Sequence, residues 1–424
     1  MTPDAHVVVV GAGIAAARLA QQLGDHPDAP ARITVLGEEP HAPYNRVLLA
    51  EVLAGRYPPE VIALPAAGPG VRHRRGVRVV RVDRAERRVL CDDGSAVAYD
   101  TLVLATGSNP VLPPLRGLFD DGPRGPAGAG RELPDGFHPF RTLDDCRALE
   151  GPARRGGRAV VIGGGLLGVS AARALAARGV RTVLAHQGEH LMERQLDRAA
   201  AELLRAHLED LGVEVHADCR VKGVTTGPGA RAGRRSVRAV QLADGYALGT
   251  DLVVAACGVR PRAGLARAAG LECAGGIVVD DALRTSDPRI HAVGDCAEHA
   301  GVVHGLAGAA REQAEVLAGV LAEPAAGHRY RGTRALTRLT LAGPGPFDLA
   351  AFGRTAPQPQ DEVVHLTDAT RGAYRKVVVR DDRLVGGILL GDLGAVGALA
   401  RAWEGDEALP AAPLLHLLTD NGGF

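Results

Sequence analysis

The stretch HVVVVGAGIAAARLAQQLG (residues 6–24) constrains the fold of this chain more than any other. An apolar run that ends in two closely spaced glycines and continues as an alanine-rich, periodically apolar segment reads as a buried strand, a tight turn and a helix lying close on the strand. Gly11 allows the turn, Gly13 lets the backbone approach a pyrophosphate, and Ala15 and Ala16 keep the helix start small. The helix N-terminus then presents unpaired N–H groups to phosphate oxygens. Alone, such a turn is a weak signal, because glycine turns between strands and helices are common. The next apolar run, RITVLGEE, ends at Glu38, placed to accept hydrogen bonds from a ribose.

The pattern recurs in RAVVIGGGLLGVSAARALAARGVRTVLA (158–185). Here Gly163, Gly165 and Gly168 occupy the G-x-G-x-x-G positions, with Leu166 and Leu167 opening the helix. Two dinucleotide turns in one chain point to a nicotinamide donor and a second cofactor that accepts its electrons. Two shorter stretches flank the second turn. YDTLVLATGSNP (99–110) runs a strand into the small residues Ala105, Thr106 and Gly107, and RIHAVGDCAEH (289–299) runs another into Gly294 and Asp295.

The order of these four motifs resembles the two-dinucleotide-binding-domain flavoproteins, the FAD-dependent pyridine nucleotide oxidoreductases. The resemblance implies an α/β fold with two Rossmann-like domains, one for FAD and one for NAD(P), followed by a C-terminal α+β domain. It implies FAD on the first turn and NAD(P)H on the second. By the same resemblance Glu38 binds the adenosine ribose of FAD, Asp295 its ribityl chain, and Val80, Ala105, Thr106, Gly107 and Gly294 line the cofactor. HGLAGAAREQAEVLAGVLA (304–322) reads as an amphipathic helix whose start, His304, Gly305 and Leu306, would face the flavin ring. The FAD domain is expected to be discontinuous, 1–138 and 264–326, with the NAD(P) domain at 139–263 and the C-terminal domain at 327–424.

One branch of the superfamily carries a redox thiol on the helix after the first acidic strand. In this chain that region, EEPHAPYNRVLLAEVLAG (38–55), contains no cysteine. It is similar instead to the ferredoxin and rubredoxin reductases, and closer still to the flavin module of the NAD(P)H nitrite reductase large subunit, as is LMERQLD (191–197). That likeness places Arg46 against flavin and pyrophosphate. Where much of the superfamily has a lysine near flavin N5 and a glutamate paired with it, this chain has Glu51 and Ser170. Two readings of these stand side by side: a reversed polarity at N5, or a solvent-facing Glu51 beside a small helix residue.

The strand RTVLAHQGEH (181–190) ends with neither an acidic residue nor an arginine at Ala185 or His186, so NADH and NADPH both stay open. His186 reads as a nucleotide contact or a surface histidine. AACGVRP (255–261) resembles the family's turn near the nicotinamide, which marks Gly258 as a contact and Cys257 as a packing residue. Cys296 is read as packed in the same way.

At 424 residues the chain is long for one core, and two or three domains are expected. The formal net charge is zero, which gives no argument for nucleic acid or an anionic membrane. The six cysteines show no metal-ligand spacing, so neither a metal site nor an iron–sulfur cluster is expected. The apolar run near the start has no basic n-region, and no uncharged span is long enough to cross a bilayer. A soluble, cytoplasmic protein is expected.

Residues 120–136 are rich in glycine and proline and read as a loop. From Tyr330 onward, LTRLTLAGPGPFDLAAFGR and YRKVVVRDDRLVGGILLGD read as strands with a tight Asp-Asp turn, and 393–418 as helical, packing internally or against a second subunit. The expected function is electron transfer from NAD(P)H through FAD to a separate iron–sulfur protein or reductase subunit, with nitrate or nitrite assimilation as the context. No residue has an acid–base role written in its pattern. The alternatives are an oxidase or quinone reductase using a small acceptor, and an NADH-responsive redox-sensing binding protein.

Overall fold

The computed structural model describes residues 5–27, 32–119, 132–230, 233–334, 336–341, 347–368, 370, 372–391, 393–409 and 418. It divides into two compact units. The first comprises Met1–Leu48, Pro58–Asn109 and Val259–Thr333, and the second Leu49–Tyr57, Pro110–Gly258 and Arg334–Phe424.

The first unit is built on a five-stranded sheet. His6–Val10 lies at its centre, Arg32–Gly37 and Val71–Arg75 follow on one side, and Thr101–Leu104 and Ile290–Ala292 on the other. All of these pairings are parallel. A parallel strand covered on both faces needs a continuous apolar run rather than an alternating one, which is why VVVV and TLVL suit these places. Val7, Val8, Val9, Leu102, Val103 and Leu104 are completely buried. The helices Ile14–Gly24 and Ala307–Ala322 contribute Leu19, Leu23, Ala314 and Leu317 to the same core, and Arg18 and Glu315 pair at 2.7 Å on their outer edge. A small antiparallel sheet of Val79–Asp83, Arg88–Cys91 and Ala96–Ala98 belongs to the same unit.

His291, on the last strand of the parallel sheet, is 3% exposed, and its Nδ1 lies 3.3 Å from the Ala282 carbonyl oxygen. Burial pushes its pKa down to about 4 from the ordinary 6.5. The unfolded chain therefore binds a proton that the fold refuses. Stability from this residue is intact above pH 6.5 and falls as the pH drops towards 4, by about 3 kcal/mol in all. Denaturation midpoints measured from pH 8 to 4 should show this decline, and His291→Gln should flatten it.

The second unit holds a parallel sheet in the order Val213–His216, Arg181–Ala185, Arg158–Ile162, Leu252–Ala255, Phe137–Pro139. Beside it lies an antiparallel meander of Val221–Pro228, Arg235–Leu242 and Ala247–Gly249. The C-terminal sheet is antiparallel, in the order Leu336–Leu341, Phe347–Gly353, Arg383–Gly391, Ala373–Arg380, Glu362–Asp368, with helix Val396–Gly405 packed on it. Its hairpin turns at Asp381 and Asp382, both left-handed with φ of 49° and 55°, the pair of conformations that a tight two-residue hairpin needs.

These boundaries differ from those expected. The described part of 110–138 belongs with the second unit, because Phe137–Pro139 extends the sheet beside Leu252–Ala255 and Arg116 and Asp135 form bridges to the meander. The C-terminal sheet also belongs to the second unit, where Asp197 accepts hydrogen bonds from Lys376 Nζ at 2.7 Å and Tyr374 Oη at 2.8 Å. Most of the expected loop at 120–136 and of the expected helix beyond Leu409 lies outside the described residues.

Candidate functional site

Each parallel sheet carries a glycine turn at the C-terminal end of its central strand. In the first unit Gly11 adopts φ +113°, and a Cβ there would run into the carbonyl of Ala105, so the first glycine turn and the A-T-G turn lie against each other. Gly13 begins helix Ile14–Gly24 with φ −81°, no side chain caps it, and the first turn holds no acidic residue. A Cβ at Gly13 would meet nothing within 4 Å. The helix thus offers unpartnered N–H groups, the positive end of its dipole and open space over the backbone, which is what a pyrophosphate requires. Ala16 is completely buried against the sheet, and a Cβ on Gly294 would lie 3.1 Å from that of Ala15, so the G-D loop closes onto the same helix start.

The second unit repeats this geometry. Gly163 takes φ +112° against the Ala256 carbonyl, Gly165 opens helix Leu166–Ala177 with no cap and nothing within 4 Å, and Gly168 packs directly on the Gly163 carbonyl. Leu166 and Leu167 are partly exposed on the first turn of this helix. Gly258, at φ +95°, faces open space, and its carbonyl accepts from the Val111 N–H at 2.9 Å.

The polar residues of the first unit are cross-linked. Arg262 donates through Nη2 to Glu38 Oε2 at 2.6 Å, its N–H donates to the Gly107 carbonyl at 2.8 Å, and its own carbonyl accepts from Thr106 Oγ1 at 2.8 Å. One residue therefore joins the A-T-G turn to the acidic end of the second strand. Ser108 Oγ donates to Asp295 Oδ2 at 2.9 Å. Arg46 pairs with Glu39, which also accepts from Tyr44 Oη at 2.6 Å, and the guanidinium lies 4.9 Å from the Tyr44 ring centroid. Burial works against the Arg46 charge, but Tyr44, Glu39 and Asp295 outweigh it and hold its pKa above the ordinary value. His304 packs edge-on to Tyr330 at 6.3 Å, Gly305 follows with φ +63°, and Leu306 is the N-cap of Ala307–Ala322. Val80 is 49% exposed on the small antiparallel sheet.

In the second unit Glu51 and Ser170 make separate contacts. Glu51, on helix Leu49–Leu53, pairs with Arg173 and accepts from Arg56 Nη1 at 2.9 Å, while Ser170 Oγ donates to the Leu166 carbonyl at 2.8 Å within its own helix. The side chain of Glu51 is only 13% exposed, so the solvent-facing reading of this residue is corrected: a guanidinium on the neighbouring helix draws it inward. Cys146 lies beneath the same helix, its Sγ 3.7 Å from the Leu49 carbonyl. It is fully buried, and burial pushes its pKa up to about 12, so it holds its proton and cannot act as a thiolate. Burial raises Cys257 to about 11 and also raises Cys296. His186 sits at the end of Arg181–Ala185, with Nδ1 accepting from the Gly164 N–H at 3.1 Å.

Sequence reading missed Arg173, Arg262 and Ser108. Arg173 did leave a signal, as the one charged residue in the otherwise small and apolar helix LLGVSAARALAA. Arg262 left none, being 224 positions from Glu38.

Two open, uncapped glycine turns on two parallel sheets fit two dinucleotides, and helix Leu49–Leu53 holds no thiol. The chain belongs to the pyridine nucleotide-disulphide oxidoreductase family, which matches residues 5–314, and residues 338–404 match the rubredoxin NAD+ reductase C-terminal domain. It is accordingly an oxidoreductase that uses FAD and NAD(P)H. Among its relatives is the assimilatory nitrate reductase electron transfer subunit of Bacillus subtilis, 34% identical over 91% of this chain and 47% of the relative. Another is the nitrite reductase (NADH) large subunit of Escherichia coli, 32% identical over 98% of this chain and 48% of the relative. The chain thus spans under half the length of either. The solved structure of a ferredoxin reductase from Rhodopseudomonas palustris superposes with a TM-score of 0.79 at 26% identity, covering 95% of both chains.

Proposed function

We propose that this protein takes electrons from NAD(P)H onto FAD and passes them to a separate redox protein, an iron–sulfur carrier or a reductase subunit, in nitrate or nitrite assimilation. The observation that carries this reading is the pair of open glycine turns in a chain whose helix Leu49–Leu53 holds no thiol and whose Cys146, against that helix, is buried and protonated. The names of the relatives support it, since they describe an electron transfer subunit, a nitrite reductase and a ferredoxin reductase.

FAD, when bound, supplies a centre that accepts two electrons from a nicotinamide and releases them singly or in pairs. The chain's own residues do the positioning. The N–H groups at Gly13 and the start of Ile14–Gly24 receive one pyrophosphate, and those at Gly165 and Leu166–Ala177 the other. Glu38, held at Oε2 by Arg262, keeps Oε1 for the adenosine ribose, and Asp295, held by Ser108, accepts from the ribityl hydroxyls. Arg46 carries positive charge beside Asp295 for the flavin and pyrophosphate. Ala15, Ala16, Ala105, Thr106, Gly107, Gly294, His304, Gly305, Leu306 and Val80 complete the proposed FAD contacts.

The test is acceptor choice. Protein loaded with FAD and reduced anaerobically with NADH is mixed with ferredoxin, rubredoxin, a quinone or oxygen. We expect reoxidation by an iron–sulfur protein at least tenfold faster than by oxygen or quinone. Faster reoxidation by oxygen or quinone would replace this reading with an oxidase or quinone reductase. Slow reoxidation by every acceptor, with a change in mass on adding NADH, would replace it with a sensor.

A further inference from the structure

The strand Arg181–Ala185 ends without the acidic residue that usually meets a ribose 2′-hydroxyl or the arginine that meets a 2′-phosphate. The loop after it supplies one from further along the chain. His186 leaves the strand with its N–H donating to the His216 carbonyl at 2.8 Å. The loop then turns back so that the Met192 N–H donates to the Gly164 carbonyl at 2.9 Å and the Leu191 side chain lies against Gly164 in the glycine turn itself. Glu193 follows. Its Oε1 accepts the Glu189 N–H at 2.9 Å, and its Oε2 stands 3.9 Å from His186 Nε2. The carboxylate fills the space over Gly188, where any side chain would collide with it.

The state of His186 is set by the same geometry. Its Nδ1 accepts from the Gly164 N–H, so that nitrogen carries no proton and Nε2 does. The end of the strand therefore presents one neutral N–H donor and one partly exposed carboxylate, side by side and next to the glycine turn. A hydroxyl can donate to that carboxylate and accept from the imidazole. A phosphate dianion at the same place would be held against that negative charge, with the neutral imidazole N–H as a donor to it.

We propose that Glu193 selects the nicotinamide dinucleotide with a free 2′-hydroxyl, NADH, over its 2′-phosphorylated counterpart. This rests on the reading of the second glycine turn as the nicotinamide nucleotide site. The test is calorimetric titration of FAD-loaded protein with NAD+ and NADP+, whose oxidised rings leave the flavin unreduced. Wild type should bind NAD+ at least tenfold more tightly. Glu193→Gln keeps the shape and the Glu189 contact but removes the charge, and should cut that preference about tenfold, mostly by improving NADP+ binding. Glu193→Arg should reverse it. Unchanged melting temperatures would show that the variants fold. A preference unaltered by Glu193→Gln, equal weakening of both nucleotides, or a wild type that favours NADP+ would overturn the assignment. Failure of wild type to bind either nucleotide would overturn the site itself and this assignment with it.

Discussion

Gly13→Ala is expected to leave the fold standing and strip it of FAD. At φ −81° an alanine is unstrained, and its Cβ would meet no atom of the protein within 4 Å. That open space lies directly over the N–H groups where a pyrophosphate must come into contact with the backbone. A methyl group there should cost about 3 kcal/mol of cofactor binding, roughly a 100-fold loss of affinity. The melting temperature of the FAD-free protein should stay within about 1 °C of wild type, because nothing in the fold is displaced. Gly165→Ala should do the same to nicotinamide nucleotide binding while FAD affinity is kept. Gly11→Ala and Gly168→Ala belong to a different class, since their methyl groups would land on the carbonyls of Ala105 and Gly163, and they should fail to accumulate as folded protein. Titration of FAD into the apoprotein, with melting curves alongside, separates the two classes. A Gly13→Ala protein that binds FAD as wild type does would remove the first glycine turn from the cofactor site.

The second large effect is expected at Glu51 and Arg173. The Arg173 side chain is 2% exposed and its partner Glu51 13% exposed, so the pair is held in a medium that tolerates charge poorly. Replacing Glu51 with alanine takes one carboxylate away from a buried guanidinium, and should cost about 3 kcal/mol. Burial already pulls the Arg173 pKa below its ordinary value, with Glu51 opposing that pull. Removing both charges, as Glu51→Leu with Arg173→Leu, should recover most of the loss, because apolar side chains of similar size replace such pairs at little cost. Chemical denaturation of the two single variants and the double variant gives the coupling between them. A double variant as unstable as the sum of the singles would show that the two residues act independently.

The glycine turns, the A-T-G turn and the G-D loop were legible in the sequence because each is local. A turn needs particular residues within a few positions, and the strand before it needs an unbroken apolar run. What was not legible joins distant positions. Nothing near Glu38 announces that Arg262 will hold it, and nothing near Glu51 announces Arg173, 122 positions away. Glu193 shows a subtler failure. It is only seven residues beyond His186, but a helix or strand would separate the two, and the backward turn of the loop at Met192, with φ +53°, is what brings them together. The same holds for Phe137–Pro139, which joins its sheet through Leu252–Ala255, a pairing that no local pattern encodes.

On the proposed reading, one chain carries electrons from a nicotinamide nucleotide to its own FAD. Anaerobic titration of FAD-loaded protein with NADH, followed by the loss of flavin absorbance, tests it most directly. One equivalent of NADH per FAD should bleach the flavin fully within the mixing time of a bench spectrophotometer, and oxidised ferredoxin added afterwards should restore the absorbance. A flavin that neither NADH nor NADPH can bleach would contradict the claim.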